Sequence, residues 1–162
     1  MTYPTKNSAQ RRTILGTFAA IYGVGYLSYM LMPLQIGALI ESLSLNESQA
    51  GGIATAELIA LAVALFALAP KIAVLSKRKL ALIGGLIVIV GHLLSATADS
   101  YTPLMLYRIL TGIGAGMVLA AGNAVIAATA NPQKMFAIVF AIGQMQAAAM
   151  LIFLPELISL WA

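Results

Sequence analysis

The chain has 162 residues, of which 61% are hydrophobic and only 9% are charged. A soluble domain has about 25% charged residues, so this composition excludes an ordinary soluble protein. The formal net charge is +4, but the basic residues lie at the ends of apolar segments rather than along one face, which argues against a nucleic-acid-binding protein. The chain has no cysteine and one histidine, so the sequence predicts neither a disulfide nor a metal site.

Five apolar segments are each long enough to cross a bilayer as an α-helix, which takes roughly 20 residues. Short polar loops separate them, and residues 1–12 form a polar tail. We therefore predict an all-α, polytopic transmembrane helix bundle in which residues 13–162 form one domain. The predicted helices lie at about 13–40, 51–70, 80–98, 103–130 and 135–161.

The loops between these helices alternate in charge. Lys77, Arg78 and Lys79 lie in the loop between helices 2 and 3, whereas the loops before helix 2 and before helix 4 contain no Lys or Arg. Loops rich in Lys and Arg stay in the cytoplasm under the positive-inside rule. We therefore predict that the N-terminus faces the cytoplasm and that this basic triplet fixes the topology.

Four polar side chains are predicted to lie at one level in the outer half of the membrane. Glu57 and Arg108 lie about 6 and 5 residues from the outer ends of helices 2 and 4, and Gln35 and His92 lie at similar depth. Because ionisable groups are costly there, we predict that Glu57 pairs with Arg108, directly or through a substrate or water. The alternative is that each side chain extends separately to the interface. His92 could carry a proton, although a structural role is favoured.

Tyr22, Tyr26 and Tyr29 share one face of helix 1 because their spacing is i, i+4 and i+7. Near the middle of a membrane their hydroxyl groups need partners, so this face lines either a cavity or a helix interface. Pro33 is predicted to kink the outer part of the same helix.

Gln144 and Gln146 lie near the bilayer centre on helix 5, two positions apart, so at most one of them lines a central cavity. We place Gln144 in the predicted site, with interhelical hydrogen bonding as the alternative. On helix 4, Gly112 and Gly116 are spaced i and i+4 and predict close helix packing. The stretch superficially resembles a dinucleotide loop, but it lies inside an apolar helix and follows no strand.

Three stretches of the chain resemble the N-terminal half of a major facilitator superfamily transporter. Residues 106–116 are similar to the helix 4 signature of that family, with Arg108 at the position of the family arginine. Residues 69–80 resemble the loop between helices 2 and 3, although Ala73 stands where the family has an aspartate. Residues 131–134 resemble the loop between helices 4 and 5.

The resemblance implies that helices 1, 2, 4 and 5 surround a central cavity and that helix 3 is peripheral. It further implies secondary active transport of a small organic solute, with proton coupling as one option, by rocking against a second half or a homodimeric partner. No enzyme activity or cofactor is expected, and we expect the bacterial cytoplasmic membrane as the location. The predicted substrate or coupling residues are, in order, Arg108, Glu57, Gln35, Tyr26 and Gln144.

Two alternatives to transport are left open by the sequence. One is a small non-transporting membrane protein that associates through the surface around Gly112 and Gly116. The other is an inactive fragment of a transporter, since five crossings look like a six-helix half without its last member. A membrane enzyme is disfavoured because the sequence has no clustered nucleophile, acid pair or metal-ligand set.

Overall fold

The computed structural model describes residue 12 and residues 15–159, and statements about the structure refer to these residues. Within this part of the chain every regular element is helical and no strand occurs, which confirms the predicted all-α fold. Four of the helices are long and apolar enough to cross a membrane. The tail before residue 12 and the predicted end of helix 5 at residues 160 and 161 lie outside the described residues.

Seven helices follow one another along the chain. The first predicted span comprises α1 (Leu15–Gly25), α2 (Leu27–Met30) and α3 (Met32–Leu43). The next four spans are α4 (Glu47–Leu68), α5 (Lys77–Ser95), α6 (Tyr101–Ala127) and α7 (Pro132–Ser159), and a single 3₁₀ turn at Ala69–Lys71 extends α4.

The first span is broken, where the sequence predicted one helix with a kink. Residues Ile21–Gly25 form a π-helical turn in which the Tyr26 amide donates to the Ile21 carbonyl at 2.8 Å. A second break falls at Leu31, just before Pro33 in the first turn of α3. Proline has no N–H to continue the hydrogen-bond ladder, so the chain ends one helix and starts another. The break agrees with the kink predicted at Pro33.

Polar caps explain why two helices begin earlier than the apolar pattern predicts. Asn46 and Gln49 form a capping box, with reciprocal side-chain to backbone hydrogen bonds of 2.8 and 3.1 Å, so α4 begins at Glu47 rather than near residue 51. In α7, the Asn131 side chain accepts from the Lys134 amide at 3.0 Å. Pro132 fits the first helical position, where a missing N–H costs nothing.

Helix α6 is the centre of the bundle. Of its spanning segment 61% is buried, against 11–22% for the other three spanning helices. Glycines allow α4 and α5 to approach it closely on opposite sides, because a Cβ at Gly116 would lie 2.6 Å from the Leu61 carbonyl of α4, and one at Gly114 would lie 2.7 Å from the Gly84 carbonyl of α5. The functional side chains carried by α6 are therefore held between two neighbours.

Candidate functional site

Arg108 of α6 and Glu57 of α4 form a buried salt bridge. Arg108 Nη1 lies 3.3 Å from Glu57 Oε2, and the two residues are only 8% and 5% exposed. The pairing that their depth predicted is therefore present, and the alternative in which each extends separately to the interface is not. A buried pair of opposite charge removes the cost of leaving either group alone in an apolar surrounding.

Gln35 of α3 joins the pair as a third polar group. Its Oε1 accepts a hydrogen bond of 2.5 Å from the same Arg108 Nη1. The side chain comes from α3, the piece of the first span that follows the break at Leu31. Three separate helices thus supply the polar cluster, which we define as Gln35, Glu57 and Arg108.

The close approach of α4 and α6 positions the salt bridge. Gly112 lies one turn after Arg108, and a Cβ there would clash with the Glu57 carbonyl. Ala60, one turn after Glu57, would lie 3.0 Å from the same Cβ. Gly112 and Gly116 of α6 therefore allow the backbone of α4 to come close enough for the Arg108 and Glu57 side chains to meet.

A small cavity adjoins the polar cluster. Gln35, Glu57 and Arg108 line it together with Met32 and Ala54 and two further apolar residues of α4. Its volume is about 10 Å³, which is about the space that one water molecule needs. The cavity is polar on one side and apolar on the other, as small-molecule sites are, but it is too small for an organic solute.

His92 of α5 is half-buried and interacts electrostatically with both Arg108 and Glu57. Its neighbour Gly91 packs against Tyr107 and Thr111 of α6, which holds this part of α5 beside the cluster. His92 therefore lies on a helix that packs beside the cluster and is not one of its three members.

The chain was compared with models of known protein families. The model of the Major Facilitator Superfamily matches residues 13–161. The chain belongs to the Major Facilitator Superfamily. Its members are transporters rather than enzymes. The described residues include four helices long and apolar enough to cross a membrane, and the chain is an integral, multi-pass membrane protein. Neither the comparison with curated proteins nor that with solved structures gave a match.

Tyr26 lies in an aromatic column along the first span of this superfamily member, not in the polar cluster. Its ring centroid lies 5.6 Å from that of Tyr22 and 6.4 Å from that of Tyr29. Tyr22 is buried against Gly143 of α7, whereas Tyr29 is about half exposed. The column therefore runs from a helix interface at Tyr22 to an exposed ring at Tyr29, and the lining of a cavity by this face stays a prediction.

The two central glutamines of α7 point in different directions, as their spacing requires. Gln144 is exposed and Gln146 is half-buried. The Gln146 Oε1 atom is buried, and no hydrogen-bond partner for it occurs among the described residues. Gln144 does not meet the polar cluster, and its predicted role stays a prediction. Gln146 lies at nearly the same depth as Gln144 in the sequence, so depth does not distinguish the two residues. Which one is buried depends on the rotation of the helix about its axis, and the sequence of an apolar helix does not give that rotation.

The basic triplet begins α5. The Ser76 hydroxyl caps this helix by accepting from the Lys79 amide, and Lys77 Nζ donates to the Ala73 carbonyl at 3.0 Å. Arg78 and Lys79 are exposed. Positive charges at a helix N-terminus oppose the helix dipole, so the triplet is placed there for a reason other than helix stability.

The polar cluster offers ion pairing and hydrogen bonding rather than covalent chemistry. Arg108 can exchange the Glu57 carboxylate for an anionic group of a ligand, since guanidinium binds planar anions in a fixed geometry. Within the described residues no group of three His, Cys, Asp or Glu could hold a metal ion. The arrangement therefore suits reversible binding in a membrane.

Proposed function

We propose that this chain is the N-terminal half of a secondary active transporter that moves a small organic solute by alternating access. The observation that carries the proposal is the buried cluster of Gln35, Glu57 and Arg108. Structural proteins seldom keep an ionisable pair inside a membrane, where such groups mark substrate or ion pathways.

A second bundle completes the site. The cavity beside the cluster holds about one water molecule, so a solute needs a wall that the described helices do not supply. Helix α7 offers a surface for that wall, because only 11% of its span is buried. Gln144 is exposed on α7 near the bilayer centre, where an amide facing lipid would be costly. The wall comes from a second half or from a second copy of the chain.

Exchange of partners at Arg108 couples binding to movement. An anionic solute group that binds Arg108 weakens the Arg108–Glu57 bridge between α6 and α4. Gln35 sits on α3, and the break at Leu31 separates α3 from the inner part of the first span. Rocking of the bundle against its partner then opens the site to one side at a time.

A solute-uptake screen tests this function. Bacterial cells that express the chain, alone as a homodimer or together with a second transporter half, are given a panel of labelled organic acids, amino acids and sugars, and accumulation is compared with that of cells carrying an empty vector. Arg108→Gln should lower accumulation of the transported solute at least about tenfold, in the range measured for loss of a buried charge partner. Lys79→Gln, which removes a positive charge outside the cluster, should leave it unchanged.

Two results would contradict the proposal. One is a panel in which no solute depends on the chain, either alone or with a second half, although the protein is present in the membrane. The other is full accumulation with Arg108→Gln. The rival function, association through Gly112 and Gly116, is disfavoured because both glycines already face α4.

A further inference from the structure

A second cleft lies away from the polar cluster, between α1, α5 and α6. Its volume is about 250 Å³, and it is lined by Arg12 and Thr17 from the start of the first span, by Lys77 and Arg78 of α5 and by Gly122 of α6, among others. We name this the basic cleft. It shares no lining residue with the cavity beside Arg108, so it is a separate site.

The basic cleft is strongly cationic. Among the described residues, three positively charged side chains line it, and no Asp or Glu does. Lys77 uses one of its three N–H donors on the Ala73 carbonyl at 3.0 Å and keeps two for a ligand. Charge of one sign in a concave site between helices attracts an anion much more strongly than the same charges on an open surface.

The rest of the cleft surface is small and apolar. Ala81 of α5 and Ala121, Gly122 and Val125 of α6 form its wall. Gly122 admits the side chain of Ile21, because a Cβ there would lie 2.5 Å from that side chain. A ligand that fits the cleft therefore combines a negative group with an apolar portion.

An exposed apolar strip leads from the cleft into the membrane. Leu82, Leu86, Ile89 and Leu93 follow Arg78 along α5 at helical spacing, and each is more than half exposed. Lipid acyl chains cover such a surface in a bilayer. An anion bound at Arg78 and chains lying along this strip would belong to one molecule.

We infer that the basic cleft binds the phosphodiester headgroup of an anionic phospholipid whose acyl chains lie along α5. Guanidinium groups of Arg12 and Arg78 and the Lys77 ammonium hold the phosphate oxygens, as in basic pockets between membrane helices. A free phosphate ion would use the same cations but would gain nothing from the apolar strip. This inference does not depend on transport.

Lipid binding to the purified protein tests the inference. Native mass spectrometry in detergent at physiological ionic strength measures adducts with phosphatidylglycerol and phosphatidylcholine. The wild-type chain should prefer phosphatidylglycerol. The double substitution Arg12→Gln with Arg78→Gln should weaken that binding about thirtyfold, since each cation near a phospholipid headgroup contributes about fivefold in affinity.

Matched variants separate a site from general attraction. Lys71→Gln with Lys79→Gln removes the same charge from residues that do not line the cleft, and binding should fall less than about fivefold. Arg12→Lys with Arg78→Lys keeps the charge and should keep most of the affinity, which guards against loss of folding. Equal losses in both Gln pairs, or no preference for phosphatidylglycerol, would overturn the inference. Displacement of the lipid by millimolar inorganic phosphate would make this a free-anion site and overturn it as well.

Discussion

Arg108 joins three helices through one side chain. Its Nη1 atom contacts Glu57 at 3.3 Å and Gln35 at 2.5 Å, so a single guanidinium links α6 to α4 and α3. Removing one partner of a buried pair leaves the other charge uncompensated, whereas exchanging the partner for a ligand does not. The pair therefore tolerates substitution poorly and ligand exchange well.

Loss of either charge should destabilise the bundle. Arg108→Ala is expected to lower the free energy of unfolding by about 3–5 kcal/mol, because it strands the Glu57 carboxylate. Glu57→Arg and Arg108→Glu should each destabilise the bundle, and combining them should recover part of the stability lost in either single reversal, since the charges again oppose each other. Thermal unfolding in detergent measures both. Lys79→Ala, at an exposed position, serves as the control, and failure of the double reversal to recover stability would contradict a direct pair.

The hydrogen bond between Gln35 and Arg108 should contribute to stability separately from the salt bridge. Gln35→Leu removes the acceptor for Arg108 Nη1 but leaves the Glu57 bridge, so the free energy of unfolding should fall by about 1.5–3 kcal/mol, as for a hydrogen bond to a charged group. The same unfolding measurement checks it. Gln144→Leu is the matched control, because that exposed amide does not meet the cluster, and an equal loss in both variants would contradict a specific bond.

The sequence predicts this part of the site better than the rest. Depth in the membrane can be counted in residues from the end of a helix. This count predicted that Glu57, Arg108 and Gln35 lie at one level. Rotation cannot be counted in the same way, because an apolar helix looks similar on every side. The positions of Tyr26 and Gln144 depend on rotation, and both lie apart from the cluster in the structure.

Among the helices, the packing of α4 against α6 decides where the charges lie. Hydropathy predicted both helices, but the close contact depends on Gly112 and Gly116 meeting the α4 backbone. Hydropathy does not predict helix breaks or helix caps, because neither changes the average apolar character of a segment. The π-helical turn at Ile21–Gly25 lies within an apolar stretch, and the Asn46 cap lies outside one.

Widening the contact between α4 and α6 should weaken the whole bundle. Gly116→Ala places a methyl group 2.6 Å from the Leu61 carbonyl, and Gly112→Ala places one against the Glu57 carbonyl. Each should cost about 1–3 kcal/mol, as overpacking does. Gly112→Ala should also displace Glu57 and reduce solute accumulation more than Gly116→Ala. Unfolding and uptake measurements check the two effects.

Gly85→Ala on α5 is the control for this pair. A Cβ at Gly85 meets nothing within 4 Å, and alanine favours a helix over glycine by about 1 kcal/mol. Gly85→Ala should therefore leave stability unchanged or raise it. If Gly112→Ala and Gly116→Ala were as stable as Gly85→Ala, the close contact between α4 and α6 would not be what limits substitution at these glycines.

Across the whole molecule, cationic side chains gather at one end of the bundle and the exposed apolar surface lies along its side. The end of the bundle that carries the loop between α4 and α5 has four cations within residues 71–79, while α7 leaves most of its span exposed. A membrane protein with a cationic end orients that end toward the cytoplasm. The same orientation would place the basic cleft in the cytoplasmic leaflet and the polar cluster in the outer half of the membrane.

Cysteine labelling tests that orientation directly, because the chain has no native cysteine. Ser48→Cys lies in the first turn of α4 and Val74→Cys lies in the basic loop, where Val74 is 87% exposed. A membrane-impermeant maleimide should label Ser48→Cys in intact cells and Val74→Cys only after permeabilisation, since loops rich in Lys and Arg remain inside. Replacing Lys77, Arg78 and Lys79 with Gln should then make part of the Val74→Cys population accessible from outside. Labelling of Val74→Cys in intact cells without those replacements would contradict the predicted topology. It would show that the basic loop faces outward and that the polar cluster lies in the inner half of the membrane.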